Sequence, residues 1–169
     1  MHDIFKEQIV KKQPTGKDNL KKFGLIFAVI VVFFVSAALI FEFAFFITII
    51  AGFGAFWVMG MLKIEYEYVF TNGELDIDII YNQRKRKRLF TGNVKDFEIM
   101  AHIEDNMHVR AFDSANEIKN YSSGITGNNT YAFLTAYKGK KLKVIFEPNE
   151  MMLGAISTVL TPRKLFKKV

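Results

Sequence analysis

Five consecutive basic residues form the densest group of chemically active side chains in the 169-residue sequence. They are Arg84, Lys85, Arg86, Lys87 and Arg88. On a β-strand the three arginines share one face and the two lysines share the other. One interpretation is a contact for anionic phospholipid headgroups, worth about 1 kcal/mol for each basic residue near a charged leaflet. The alternative is a solvated face, or a set of ion-pair partners for the acids of neighbouring strands, namely Glu65, Glu67, Asp76 and Asp78.

Two other groups of polar residues have the atom types needed for metal binding or catalysis. Asp76 and Asp78 share a strand face as a carboxylate pair, but no histidine or lysine stands beside them to assist proton transfer. Cysteine is absent, which excludes disulfides, thiolate chemistry and cysteine metal sites. The second group has no spacing typical of a metal site, so we predict no enzyme, no cofactor and no metal. This second group comprises His102, Glu104, Asp105 and His108.

A long apolar stretch runs from Phe23 to Leu62 and precedes the part of the chain that carries the polar groups described above. Its one charged residue is Glu42. A bilayer core of about 30 Å needs about 20 helical residues, so the stretch fits two spans and not one. We predict transmembrane helices over Phe23–Leu39 and Phe43–Leu62, with Glu42 in a very short turn at headgroup depth. A cleaved signal peptide or a buried soluble hairpin fits less well, because the two runs are long and almost free of charge.

The basic residues around the hairpin predict its orientation. Six lysines precede the first span, Lys63 closes the second, and the turn carries no positive charge. The positive-inside rule therefore places both termini in the cytoplasm of a multi-pass cell-membrane protein. Gly52, Gly54 and Gly60 predict close helix contacts, either within the hairpin or between copies of the chain. The net charge of +6 suits an anionic membrane surface, and we predict no nucleic-acid partner.

The chain after the hairpin predicts antiparallel strands. Lys63–Thr71 and Glu74–Tyr81 both alternate apolar and polar residues, and Asn72–Gly73 between them is a strong hairpin signal because both turn positions favour positive φ. This register sets Glu67 opposite Asp78, an unfavourable like-charge pair that a nearby cation would relieve.

Weaker patterns complete the predicted sheet. Leu89–Phe90 indicates a third strand that ends in a turn at Thr91–Asn93, and Val94–Ile103 indicates a fourth strand after one helical turn. Thr130–Tyr137 and Lys140–Glu147 form a second predicted hairpin. Asn149 is a good N-cap for a C-terminal helix that ends at Thr161–Pro162. In the poorly patterned region Glu104–Asn129, the segment 107–112 is a candidate strand, and 115–124 is a loop or short helix.

The N-terminal segment is polar and rich in lysine. Asp3–Val10 predicts a short amphipathic helix that Pro14, Thr15 and Gly16 end, lying on the inner leaflet or in a disordered tail. The predicted domains are a basic cytoplasmic segment, the hairpin, a cytoplasmic β domain and a basic tail, at residues 1–22, 23–62, 63–161 and 162–169.

This pattern resembles the bacterial membrane-anchored kind of pleckstrin-homology-like (PH-like) domain. The resemblance rests on the apolar hairpin, the YEYVFTNGELDIDIIY hairpin, the basic strand into LFTGNVKDFEI, and KKLKVIFEPNEMMLGAI as last strand and helix. It implies a transmembrane hairpin followed by a mainly antiparallel β PH-like domain with a C-terminal α-helix. The whole chain also resembles a small group of Firmicutes membrane proteins, a likeness that implies no activity.

Two functions from different classes follow. The first is a non-catalytic membrane-anchored adaptor that binds a membrane protein partner, a second copy of itself, or the anionic lipid surface. The second is a small subunit of a transport or envelope-stress assembly in which the hairpin is the working part. The second function needs polar residues inside the spans, and Ser36 and Thr48 are the candidates.

Overall fold

The computed structural model describes residues 4–105, 107–125, 127 and 129–166. The chain forms two compact units. The helical unit comprises Pro14–Ile64 and Tyr81–Lys85, and the sheet unit comprises Met1–Gln13, Glu65–Ile80 and Arg86–Val169. The sheet unit is therefore discontinuous in sequence, because the helices are inserted into it.

The helical unit contains the two predicted apolar helices. Helix α1 spans Gly16–Leu39, a 3₁₀ turn spans Phe41–Phe43, and helix α2 spans Ala44–Met61. Glu42 lies in the turn, as predicted. Both helices are long and apolar enough to cross a membrane, and 6 % and 11 % of their most apolar windows are buried. Such exposure is opposite to that of a core helix in a soluble protein.

The small residues of α2 differ in their packing. Ala55 is buried in the helical unit. A Cβ added at Gly52 or Gly54 would meet no atom within 4 Å. A side chain at either position would therefore have open space around it, although Gly54 lines the groove between α1 and α2. The interpretation that these glycines pack the hairpin against itself stays a prediction.

The first sheet has the strand order β1-β2-β3-β4. Its strands are Phe5–Lys11, Ile64–Thr71, Glu74–Tyr81 and Lys85–Asn93. Strand β1 pairs antiparallel with β2, from Phe5 opposite Thr71 to Lys11 opposite Glu65. The predicted helix over Asp3–Val10 is wrong (Asp3 lies outside the described residues). A segment this short is a marginal helix by itself, whereas pairing with β2 satisfies its backbone groups.

Tight turns set the strand limits. Asn72 and Gly73 have φ of 49° and 99° and join β2 to β3, which confirms the predicted two-residue turn. Lys138 and Gly139, with φ of 50° and 77°, join the second predicted hairpin in the same way. These left-handed conformations favour Gly and Asn, and Lys138 adopts one at the cost of some strain.

The second sheet has the order β6-β8-β7-β5-β9. Its central strands pair antiparallel, whereas β6 is parallel to β8 and β9 is parallel to β5. Helix α3 spans Glu150–Val159, and the side chain of Asn149 accepts a hydrogen bond from the Met152 amide at 2.8 Å, as the predicted N-cap requires. In sequence order the strands are β5 Ile99–His102, β6 Glu117–Asn120, β7 Tyr131–Tyr137, β8 Lys140–Phe146 and β9 Leu165–Phe166.

In the second sheet, the first five residues of β7 are buried, so this strand is covered on both of its faces. One face contributes Phe133 to an aromatic core, where its ring stacks on Phe97 at 4.0 Å and meets Phe90 and Phe146. The other face forms a separate cluster that includes Ala132, Leu134 and Phe112. Burial on both faces explains why β7 is almost continuously apolar.

Several predicted elements differ from the structure. Segment 107–112 is not a strand, because Val109–Ser114 is a 3₁₀ helix whose Phe112 covers the second sheet. The expected loop or short helix at 115–124 contains strand β6. The predicted turn at Thr91–Asn93 continues β4, and the predicted fourth strand is reduced to β5 after the 3₁₀ turn Val94–Asp96.

Candidate functional site

A network of ion pairs crosses the first sheet on the side away from the aromatic core. Arg86 on β4 places a guanidinium nitrogen 2.6 Å from Glu67 Oε1 on β2. Glu67 is 1 % exposed, so this ion pair joins a half-exposed arginine to a buried carboxylate. Removing the cation of such a pair is strongly destabilising, because the buried carboxylate would lose its partner.

Arg88 contacts both aspartates of β3. Its Nη1 lies 2.7 Å from Asp76 Oδ2, and its Nε donates a hydrogen bond to Asp78 Oδ1. Asp78 is buried and Asp76 is partly exposed. The hydrogen bond to Asp78 raises the pKa of Arg88. The predicted cations therefore do relieve the like charges of Glu67 and Asp78.

The carboxyl group of Glu67 has an unfavourable environment in spite of Arg86. Burial raises its pKa most, and the nearby carboxyls of Glu7 and Asp78 raise it further. Arg86 acts in the opposite direction. Glu67 Oε2 is buried and has no hydrogen-bond partner among the described residues.

A cleft of about 310 Å³ lies between β1, the segment that joins β6 to β7, and the end of β8. Gln8 joins its walls, since its amide nitrogen donates to the Glu147 carbonyl at 2.7 Å and its oxygen accepts from the Asn149 amide at 2.7 Å. The Glu147 carboxylate accepts hydrogen bonds from the amide and hydroxyl of Ser123. No local sequence pattern indicates this cleft, because Gln8 and Glu147 are 139 residues apart.

The comparison with known families agrees with this architecture. A model described as the bacterial PH-like domain (DUF6106) matches residues 2–167. The chain belongs to this family. The matched range contains the apolar helices as well as every described strand and helix of the sheet unit. No curated protein and no solved structure matches the chain.

In this bacterial PH-like chain the basic run is divided between different environments. Arg84 ends the turn Asn82–Arg84 that precedes β4, so the prediction that three arginines share one strand face is wrong for Arg84. Lys85 and Lys87 are exposed on β4. The interpretation of Arg86 and Arg88 as partners of Glu67, Asp76 and Asp78 is confirmed. Contact with anionic lipid at Arg84–Arg88 stays a prediction.

Strand β4 also departs from regular alternation. Arg88 and Thr91 are three residues apart, yet both reach Asp76, with Thr91 Oγ1 donating to Asp76 Oδ1 at 2.7 Å. Phe90 between them is fully buried against Phe133. In a regular strand, Arg88 and Phe90 would face the same side. Periodicity alone therefore could not assign the faces of this strand.

The histidine and acid group does not converge on one point. His102 is buried in β5, where its Nδ1 accepts a hydrogen bond from the Glu104 amide at 3.2 Å. His108 contacts Asp105 at 2.7 Å and stacks on Phe166. The contact with His108 holds the pKa of Asp105 below its usual range. Among the described residues, no group of three or more acids or histidines is placed to hold a metal ion.

Proposed function

We propose that this chain is a non-catalytic, membrane-anchored adaptor, whose PH-like domain binds a membrane protein partner at the inner leaflet. The observation that carries the proposal is the insertion of the apolar helices between β1 and β2. The chain thereby passes from the end of β1 into the two helices, and β2 begins at Ile64, shortly after α2 ends at Met61. A domain attached in this way is suited to hold a partner at the membrane.

Strand pairing supports the proposed topology. Lys11 precedes the two helices, Glu65 follows them, and the two residues lie directly opposite each other. Paired residues must be on the same side of a bilayer, so the helices between them cross it an even number of times. Two crossings agree with the positive-inside rule and with cytoplasmic termini.

The hydroxyls inside the helices support an adaptor over a transport subunit. Ser36 Oγ donates to the Phe33 carbonyl at 3.0 Å, and Thr48 Oγ1 donates to the Ala44 carbonyl at 2.8 Å. Both groups bond to their own helix, which is the usual arrangement when a hydroxyl lies in an apolar environment. The donor of each hydroxyl is therefore already used within its own helix.

Cysteine substitution tests the topology in a chain that has no native cysteine. We expect Lys11→Cys with Glu65→Cys to form a disulfide in the intact membrane. Lys11→Cys with Val69→Cys should not, because Val69 lies opposite Glu7.

A membrane-impermeant maleimide should label Glu42→Cys in intact cells and spare Asp113→Cys. Labelling of Asp113→Cys from outside would contradict the proposed orientation.

Crosslinking in the native membrane tests the adaptor function. After crosslinking and purification of the full-length chain, we expect one stoichiometric membrane protein partner. The matched control carries Gly52→Leu and Gly54→Leu, which alter the helical unit and leave the sheet unit unchanged. Capture should persist in this variant, because the proposed contact is made by the sheet unit. Loss of capture in the control would favour the assembly-subunit function, and recovery of the chain alone would contradict the adaptor.

A second candidate function, contact with anionic lipid, is favoured by Lys85 and Lys87, which are exposed and make no described ion pair. Arg86 and Arg88 contribute less, because carboxylates already neutralise them.

A further inference from the structure

The pair of carboxyl groups on β1 and β2 has no role in the proposed adaptor function. We propose that Glu7 and Glu67 form a proton-binding site, and that binding this proton strengthens the pairing of β1 with β2. We propose a proton and not a metal ion, because no group of three or more described acids or histidines is placed to hold a metal ion.

The geometry carries the first step. Glu67 Oε2 is buried and has no hydrogen-bond partner among the described residues, although its other oxygen contacts Arg86. An unpaired buried acceptor is unfavourable, because it has lost its water without gaining a donor. Glu7, two residues from the position opposite Glu67, also carries a carboxylate and cannot supply that donor while both groups are ionised. A single proton on either group supplies it.

The charges that face Glu67 support the same conclusion. Glu7 faces it from β1, Asp78 from β3 and Arg86 from β4. Arg88 is occupied by Asp76 and Asp78, and Lys11 lies opposite Glu65 at the far end of the strand pair. Two acids and one cation therefore act directly on Glu67. Burial and the two acids outweigh Arg86, which leaves the pKa of Glu67 above its ordinary value.

Protonation has a defined effect on the fold. It removes the repulsion between carboxylates on adjacent strands and allows a hydrogen bond from one strand to the other. It also weakens the ion pair to Arg86, which becomes available to anions. A carboxyl whose pKa is raised in the folded state contributes stability below its unfolded pKa, and that contribution is lost as pH rises through the folded pKa. Acidification should therefore tighten β1, the strand that leads into the membrane helices.

The test uses the full-length chain in nanodiscs of neutral lipid, so that lipid charge does not titrate. We compare wild type with Glu67→Gln, whose amide imitates the protonated carboxyl, and with the exposed control Glu74→Gln. From pH 8 towards pH 5, wild type and Glu74→Gln should gain melting temperature relative to Glu67→Gln. The protection of the β1 amides, calculated against the intrinsic exchange rate at each pH, should rise in the same two proteins and stay constant in Glu67→Gln.

A second measurement separates proton binding from a general change in stability. The carbon-13 shift of the Glu67 carboxyl should titrate above the ordinary value of 4.5, and Glu7→Gln should lower that midpoint. Parallel melting curves for all variants, or a midpoint at or below the ordinary value, would overturn the proposal. Neither result depends on a partner protein, so the adaptor function can fail independently.

Discussion

Deletion of residues 1–63, which leaves residues 64–169 without β1, should unfold the sheet unit or lower its melting temperature by roughly 10 °C or more relative to a protein that keeps β1. The deletion removes β1, which pairs with β2 at seven positions and places buried Val10 in the core. It also removes Gln8, whose side chain bonds to the backbone of Glu147 and Asn149. Loss of these bonds together is expected to cost about 3–5 kcal/mol. Circular dichroism and thermal unfolding of residues 64–169 measure the effect.

The matched control keeps β1 and removes the two apolar helices. Residues 14–63 are replaced by a flexible linker of about four residues, a length typical of hairpin loops. Because Lys11 lies opposite Glu65, such a linker closes the gap without strain. We expect a soluble protein with one cooperative unfolding transition. Equal stability of the two proteins would show that β1 is dispensable, and insolubility of both would show that the helices are part of the folded core.

The failure to predict β1 has a physical cause. The apolar residues Ile4, Phe5, Ile9 and Val10 fit a helical period, so the local pattern favoured a helix. The strand exists because of its pairing with β2, which lies more than fifty residues away in sequence, beyond both helices. Short-range patterns contain no information about such a partner. The insertion of the hairpin into the sheet could therefore not be predicted from residues near the N-terminus.

The elements that were predicted correctly carry their own local signals. Length and hydropathy predict the two helices, and the alternation on both sides of Asn72–Gly73 predicts β2 and β3. The region around Val109–Ser114 carries no such signal, because its place in the fold depends on the contact of Phe112 with one face of the second sheet. Part of the candidate site could be predicted from the sequence, because the register that sets Glu67 opposite Asp78 implies nearby cations. The burial of Glu67 and its proximity to Glu7 could not be predicted, because both depend on β1.

Replacement of Arg86 and Arg88 by serine should destabilise the sheet unit by about 2 kcal/mol. Both arginines pair with carboxylates that are nearly inaccessible to water, Glu67 and Asp78. Removing the cations leaves these charges buried without compensation. The expected cost is below that of a fully buried ion pair, because half or more of each arginine side chain is exposed. Thermal unfolding in a non-ionic detergent measures the difference.

Lys85→Ser with Lys87→Ser is the matched control, since it removes the same charge from the same strand. These lysines are exposed, so we expect a change within about 0.5 kcal/mol. Equal destabilisation by the two double variants would show that net charge matters and the ion pairs do not. The effect of lipid should rank the two double variants in the opposite order. In nanodiscs, anionic lipid should raise the melting temperature of wild type, and the lysine variant should lose more of that increase than the arginine variant.

The arginine variant also connects the ion pairs to the proposed proton site. Arg86 is the cation that lowers the pKa of Glu67, against burial and the neighbouring acids. Arg86→Ser alone should therefore raise the Glu67 midpoint further, and the variant should recover stability on acidification as the carboxyl becomes neutral. Arg88→Ser should move that midpoint less, because Arg88 contacts the aspartates of β3 and not Glu67. Equal shifts in the two variants would mean that the whole charged face acts on Glu67 rather than one adjacent arginine.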